Sequence, residues 1–411
     1  MLANSFTDES TDSLIDQFRA SRDHSTELLN GLTPEDCQSQ SMPETSPIKW
    51  HLAHVTWFYE MMVLKQFEAN FDYWNPNYAV LFNSYYNIIG DKHPRAKRGL
   101  LTRPSLEEVI NWRGNIDKRV VNLLNINPRL EIKNLIRLGI NHEQQHQELM
   151  LTDLQHLFFN NSLYPALDNY TAPKNLSFEK SNWIAIEPGI YSIGFSEGVF
   201  HFDNEGPEHK VYIQPCTLSS KLITNNEWLS FVNCGGYEDS RWWLDEGWAW
   251  VQRENVHSPL YWIHDLDTNS FNEFSLAGSL PLVGNNPVKN ISYFEADAYA
   301  RWANTNLVGH EGVRLPTEFE WEVFAKTQAP QLEDMFDCLW QWTSSSYSAY
   351  PAYRPWSGMA GEYNGKFMIN QMVLRGSSSF TVLGHSRPSY RNFFPTNTRW
   401  QMTGLRLARD V

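Results

Sequence analysis

The sequence predicts a mixed fold, α + α/β in class: a four-helix bundle followed by an α+β domain. Three observations lead there. Apolar residues recur at helical spacing from about Ser13 to Asn160. The chain changes character near residue 165. From Trp183 onward short β-like runs alternate with turns, interrupted by two helical patches.

The elements follow in order. Leu14, Phe18, Leu28, Leu29 and Leu32 fit one apolar face of a first helix. Leu52, Val55, Phe58 and Met62 mark a second. Val109, Ile110, Ile116, Val120, Leu123 and Leu124 mark a third, and the helix carrying His142 is the fourth. Ser46-Pro47 reads as an N-cap followed by proline at the first helical position. Ser105 with Glu108 reads as a capping box for the third helix. Residues 166–182 are polar and read as a linker, so the expected domains are 1–165 and 183–411. Expected strands are Trp183 to Glu187, Tyr191 to Gly194, Lys210 to Ile213, Val373 to Arg375 and Leu405 to Leu407. Expected helices are Asn225 to Asn233 and Tyr293 to Thr305.

Composition narrows the function classes. A hydrophobic content of 42% supplies packed cores for a chain of 411 residues. The net charge of −14 argues against nucleic acid and anionic membrane as partners, since both need a basic face. Cys37, Cys216, Cys234 and Cys338 form no C-x-x-C pair, which points to reduced thiols in a cytoplasm. Met1 to Ser10 is polar and shows no signal peptide. There is no run of about 18 apolar residues for a membrane helix.

The chemistry begins at His142 and His146, four residues apart on a predicted helix. Positions i and i+4 share a face, so two imidazoles can bind one metal ion. His142-Glu143-x-x-His146 also satisfies the pattern of zinc peptidases, in which the Glu is the base. His54, three residues after His51 among apolar neighbours, is the candidate third ligand from the second helix. Three neutral nitrogens suit zinc, iron, copper or nickel. Gln145 flanks the metal face. Glu148 projects away from it, either to orient an imidazole or to meet solvent. Tyr85-Tyr86 sits in an aromatic loop, and Arg95 with Arg98 is a local basic cluster fit to clamp a carboxylate. Between Leu374 and Leu407 polar and aromatic residues interleave, as in a lined pocket or as Arg stacked on Trp.

Together these residues resemble the sulfoxide synthases of ergothioneine biosynthesis. Those proteins join a DinB-like four-helix bundle to a C-type-lectin-like domain of the formylglycine-generating-enzyme fold. The carrying motifs are Leu52-Ala53-His54, His142-x-x-x-His146-x-Glu148, Pro188-Gly189-x-Tyr191, Arg314-Leu315-Pro316-Thr317-Glu318, Gln341-Trp342-Thr343 and Gly404-Leu405-Arg406-Leu407. The resemblance implies Fe(II) on His54, His142 and His146, and an O2-dependent reaction. A thiol would be joined to C2 of the imidazole of trimethylhistidine (hercynine) and oxidised to a sulfoxide. It implies substrate contacts from Gln145, Asn392, Phe393 and Phe394. Tyr85 or Tyr86 would supply a proton to dioxygen as it is reduced. The double tyrosine, Arg95 with Arg98, and the lack of an acid in Arg391-Asn392-Phe393-Phe394-Pro395 resemble the subgroup using cysteine rather than γ-glutamylcysteine. Ovothiol and selenoneine synthases are neighbouring possibilities. A zinc peptidase and a non-catalytic lectin-like binding module are the readings from other classes. No Cys lies between Arg375 and Arg391, which argues against formylglycine generation itself.

Overall fold

The computed structural model describes residues 10–171, 181–195, 198 and 200–411. The N-terminal residues 1–9 and most of the expected linker, 172–180, lie outside the described residues. The described residues fall into two compact units. The first comprises residues 10–162, 198, 200–203 and Arg354–Lys366. The second comprises residues 163–171, 181–195, 204–353 and 367–411. Residues 200–203 and 354–366, expected in the domain 183–411, belong to the first unit.

The first unit is helical. Its long helices are Thr11–Glu27, Ile48–Phe58, Leu106–Ile126 and Leu130–Phe159. The second packs against the third and the fourth, and the first against the fourth. Leu14, Phe18, Leu52, Val55, Val109, Ile116, Val120 and Ile136 fill the core between them. The capping box of Ser105 and Glu108 is present. Every residue of Ile48–Phe58 is buried, because this helix has neighbours on all sides. It continues as a π-helical turn, Tyr59–Leu64. A Cβ at Gly139 would meet the Tyr59 ring at 2.5 Å, so glycine allows the fourth helix its close approach here.

Two local expectations fail in this unit. Leu28, Leu29 and Leu32 lie beyond the end of the first helix, in turns, half-buried. Ser46 does not cap the second helix, where Pro47 holds the N-cap position. Its amide donates to Asp153 Oδ2 (2.8 Å) and its hydroxyl accepts from Arg98 (2.8 Å). Two buried charged groups have claimed the polar atoms that a cap would use.

The second unit is an α+β assembly of short strands. One antiparallel sheet runs Trp183–Ile186, Cys216–Ser219, Ala408–Asp410, Val313–Arg314. Another runs Asn392–Phe394, Met372–Arg375, Trp340–Ser346, Thr403–Gly404, with the last pair parallel. Gly189–Ile193 pairs with His209–Ile213, and Trp262–Asp265, Ser270–Ser275 and Gly278–Pro281 form a meander. The helices Asn225–Asn233, Tyr293–Asn306 and Glu318–Thr327 each start at a capping box, from Thr224, Ser292 and Thr317. The third of these, and Asp245–Glu254, were not expected.

Leu405–Leu407 is not a strand. It is the crossing between Thr403–Gly404 in one sheet and Ala408–Asp410 in the other. The Arg406 guanidinium is buried there, on Gln341 Oε1 (3.1 Å) and the Ser219 carbonyl (2.8 Å). The interleaved arginines of this region are framework rather than pocket lining. Arg375 contacts Glu318 (3.0 Å) and Glu322 (2.9 Å), and Arg391 contacts Glu318 (2.8 Å) while lying over the Tyr350 ring (4.0 Å). The stacking expected on Trp falls on Tyr at Arg391 and on Trp250 at Arg399 (5.6 Å).

Candidate metal centre

His142 and His146 lie one turn apart on Leu130–Phe159, and His54 faces them from Ile48–Phe58. The ring centroids form a near-equilateral triangle: 5.0 Å from His54 to His142, 4.9 Å from His54 to His146 and 4.6 Å from His142 to His146. One nitrogen from each ring lies within 4.8 Å of the others. Burial pushes all three imidazoles toward the neutral form, that of His142 to about 3. His54 Nε2 and both nitrogens of His142 are buried without a hydrogen-bond partner among the described residues. Buried polar atoms are normally paired, and unpaired lone pairs converging on one point fit a bound metal ion. His54 Nδ1 donates to the Phe82 carbonyl (2.6 Å), which leaves its Nε2 for the metal. These three residues fit a transition-metal ion.

The flanks are aromatic and cationic. Trp50 stacks on His54 (4.8 Å between centroids), and Arg98 lies over Trp50 (3.3 Å). Arg98 is buried, and among the described residues its guanidinium bonds only hydroxyls, those of Ser46 (2.8 Å) and Ser84 (3.1 Å). Its Nε has no hydrogen-bond partner among the described residues. Burial and then the charge of Arg95 lower its pKa to about 9, so the site gains by receiving an anion. Arg95 itself is exposed.

Gln145 accepts a hydrogen bond from Tyr363, whose ring stands 5.6 Å from His142 and edge-on to it. Tyr363 belongs to the returning segment Arg354–Lys366, and nothing in the sequence distinguished it from the other tyrosines. The same segment fixes the double-tyrosine loop: Glu362 accepts from the amides of Asn87 (2.9 Å) and Ile88 (2.8 Å), and Lys366 bonds the Tyr85 carbonyl. Tyr86 is fully buried against Trp57 (5.4 Å), which stacks on His54 (5.5 Å). The two hydroxyls are 3.5 Å apart. Burial raises both phenols well above their ordinary range, so each keeps its proton at neutral pH.

Glu143 is not a base at this centre. Its oxygens accept from Ser25 (2.6 Å), Arg22 (3.0 Å) and Arg113. Burial raises its pKa, but Arg113, Arg22 and Ser25 outweigh burial and hold the carboxyl below its usual range. The peptidase pattern fails because residue 143 is turned about 100° from 142 on the helix and faces other partners. Glu148 is buried, so the solvated reading of it also fails. Asn392, Phe393 and Phe394 form a half-buried strand of the second unit. There Phe393 is stacked on Tyr347 (4.0 Å).

Comparison with known proteins follows both units. Residues 17–150 match the DinB superfamily. Residues 169–331 match the sulfatase-modifying factor enzyme 1-like domain. A hercynine oxygenase of Mycolicibacterium smegmatis is 26% identical over 97% of this chain and 99% of its own length. The chain resembles the hercynine oxygenases. A second, from Mycolicibacterium thermoresistibile, is 27% identical over 92% of this chain and 90% of its own. A formylglycine-generating enzyme of Thermomonospora curvata is 28% identical, but over only 35% of this chain and 48% of its own. Burial raises the Cys338 thiol to about 12, which keeps it protonated and unreactive. Among the described residues no helix is long and apolar enough to cross a membrane.

Proposed function

We propose that this chain is a non-haem Fe(II) sulfoxide synthase acting on cysteine, trimethylhistidine and O2 in ergothioneine biosynthesis. The observation that carries the reading is the buried triangle of neutral histidines with unpartnered nitrogens. The two-domain likeness to hercynine oxygenases gives it a substrate class. The reaction balances as thiol plus imidazole C–H plus O2 giving aryl sulfoxide plus water. Four electrons leave the organic partners, two in forming the C–S bond and two in oxidising sulfur. His54, His142 and His146 would hold Fe(II), which would supply the redox chemistry with dioxygen.

The chain's own residues bind and protonate. The α-carboxylate of cysteine is assigned to Arg98, the buried cation whose hydrogen-bond partners among the described residues are hydroxyls alone. Arg95 adds long-range attraction from an exposed position. Gln145 and Tyr363 stand beside His142, where they orient the incoming imidazole. Tyr86, with Tyr85 behind it, holds a proton in a dry setting until reduction of dioxygen demands it. Asn392, Phe393 and Phe394 are further substrate contacts on the strength of the resemblance.

The test is anaerobic reconstitution with Fe(II), then O2 with trimethylhistidine and either cysteine or γ-glutamylcysteine, read by mass spectrometry. Hercynylcysteine sulfoxide is the expected product, and His142→Ala is expected to lose iron and product together. Full iron occupancy in His142→Ala overturns the metal assignment. Preference for γ-glutamylcysteine overturns the choice of donor.

A further inference from the structure

His51 is buried one turn before His54 on the same helix, yet it is not part of the metal triangle. Its Nδ1 lies 2.8 Å from Nδ1 of His146, and its Nε2 lies 3.1 Å from Asp153 Oδ2. The same carboxylate oxygen accepts the Ser46 amide (2.8 Å), which fixes its place. Proton counting then settles the tautomers. An imidazole nitrogen facing a carboxylate oxygen must carry the proton, so His51 is protonated on Nε2. A neutral His51 has no second proton, so its Nδ1 is an acceptor. The proton between the two rings therefore belongs to His146 Nδ1, and the lone pair of His146 is on Nε2.

We propose that His51, anchored by Asp153, is a positioning residue that locks His146 in the tautomer presenting Nε2 to the metal. The inference rests on the reading that His54, His142 and His146 hold a metal ion. A ligating imidazole whose far nitrogen is bonded is both oriented and made more basic, and losing such a partner typically costs about 10- to 100-fold in metal affinity. The arrangement adds a second function for the polar residues around Asp153. Ser46 joins the carboxylate to Arg98, so one hydrogen-bonded chain holds the anion-seeking guanidinium and the metal-facing imidazole in fixed places.

The experiment uses the full chain and two variants at one position. His51→Leu removes the acceptor. His51→Asn offers a carbonyl oxygen near the position of the lost Nδ1. Co(II) is titrated anaerobically against a chromophoric chelator, and the metal-free wild type is labelled with 15N-histidine for NMR. Expected are a roughly 10- to 100-fold loss of Co(II) affinity in His51→Leu and recovery to within a few-fold in His51→Asn. His146 is expected as the Nδ1–H tautomer and His51 as the Nε2–H tautomer. Wild-type affinity in His51→Leu overturns the inference. Equal losses in both variants reduce His51 to packing and overturn it as well. If His51→Leu does not fold, the Asn variant and the NMR tautomers decide: an Nε2–H His146, or an Asn variant as weak as His142→Ala, is fatal. A wild type that binds no Co(II) rejects the metal reading itself, a different failure from a wild type that binds while His51→Leu binds equally.

Discussion

Glu143→Gln separates the structural reading of this carboxylate from the catalytic one. In the wild type both carboxylate oxygens are satisfied by Ser25, Arg22 and Arg113, and Glu143 is completely buried. The arginines are almost as buried, with side chains 2% and 3% exposed. Replacing the carboxylate by an amide leaves Arg113 without a close counterion and turns an N–H toward a guanidinium. Breaking a buried ion pair from one side costs about 3–5 kcal/mol. Arg22 keeps Asp117 at 2.7 Å, so the low end of that range, about 3 kcal/mol, is expected. For a unit of this size that is a fall in melting temperature on the order of 10 °C. Hydrogen exchange of the Leu130–Phe159 helix during urea unfolding is the assay, because it reports the helical unit separately from the second. The folded variant is expected to retain its metal affinity to within a few-fold. A variant as stable as the wild type, with activity abolished, would falsify the structural role and restore Glu143 as a base.

The other predictions concern substrate, proton and pH. Arg98→Gln is expected to raise the KM for cysteine by roughly 10- to 100-fold, the worth of a charge-assisted hydrogen bond, with trimethylhistidine little affected; Arg95→Gln, at an exposed position, raises it less. Steady-state kinetics with each substrate varied will show it, and an unchanged cysteine KM in Arg98→Gln removes Arg98 from the site. Tyr86→Phe is expected to leave metal binding intact and to divert product from sulfoxide toward cysteine sulfinic acid, with Tyr85→Phe acting more weakly through the 3.5 Å contact. Identical product ratios in both single variants and the double variant would leave the pair as packing. His385 is buried, and burial followed by Arg387 lowers its pKa to about 3. The unfolded chain takes up that proton near pH 6.5, so the contribution of His385 is full above 6.5 and declines as pH falls toward 3. Between pH 7.5 and 5.5 the wild type should lose about 1 kcal/mol more stability than His385→Gln. Parallel stability curves for the two proteins would refute the neutral buried histidine.

Much of the helical unit, and part of its candidate metal centre, could be read from the chain alone. The 142/146 pair shares a face by the geometry of any α-helix, whereas His54, on a helix that also carries His51, is singled out by the resemblance rather than by spacing. The Ser105–Glu108 box needs only residues three apart, so it too is a local property. The boxes at Thr224, Ser292 and Thr317 are equally local, each needing only residues three apart. Tertiary structure decided the rest, because charge and hydrogen-bond partners are chosen by neighbours distant in sequence. Local spacing made Glu143 a plausible base, while Arg22 and Arg113, from two other helices, made it a buried counterion. Ser46 looked like a cap until Asp153 and Arg98 took its polar atoms. His51 and Tyr363 acquired their places from His146 and Gln145 across the fold. Periodicity fixes which face a side chain occupies, but only packing fixes what that face meets, and a buried polar group must meet a partner.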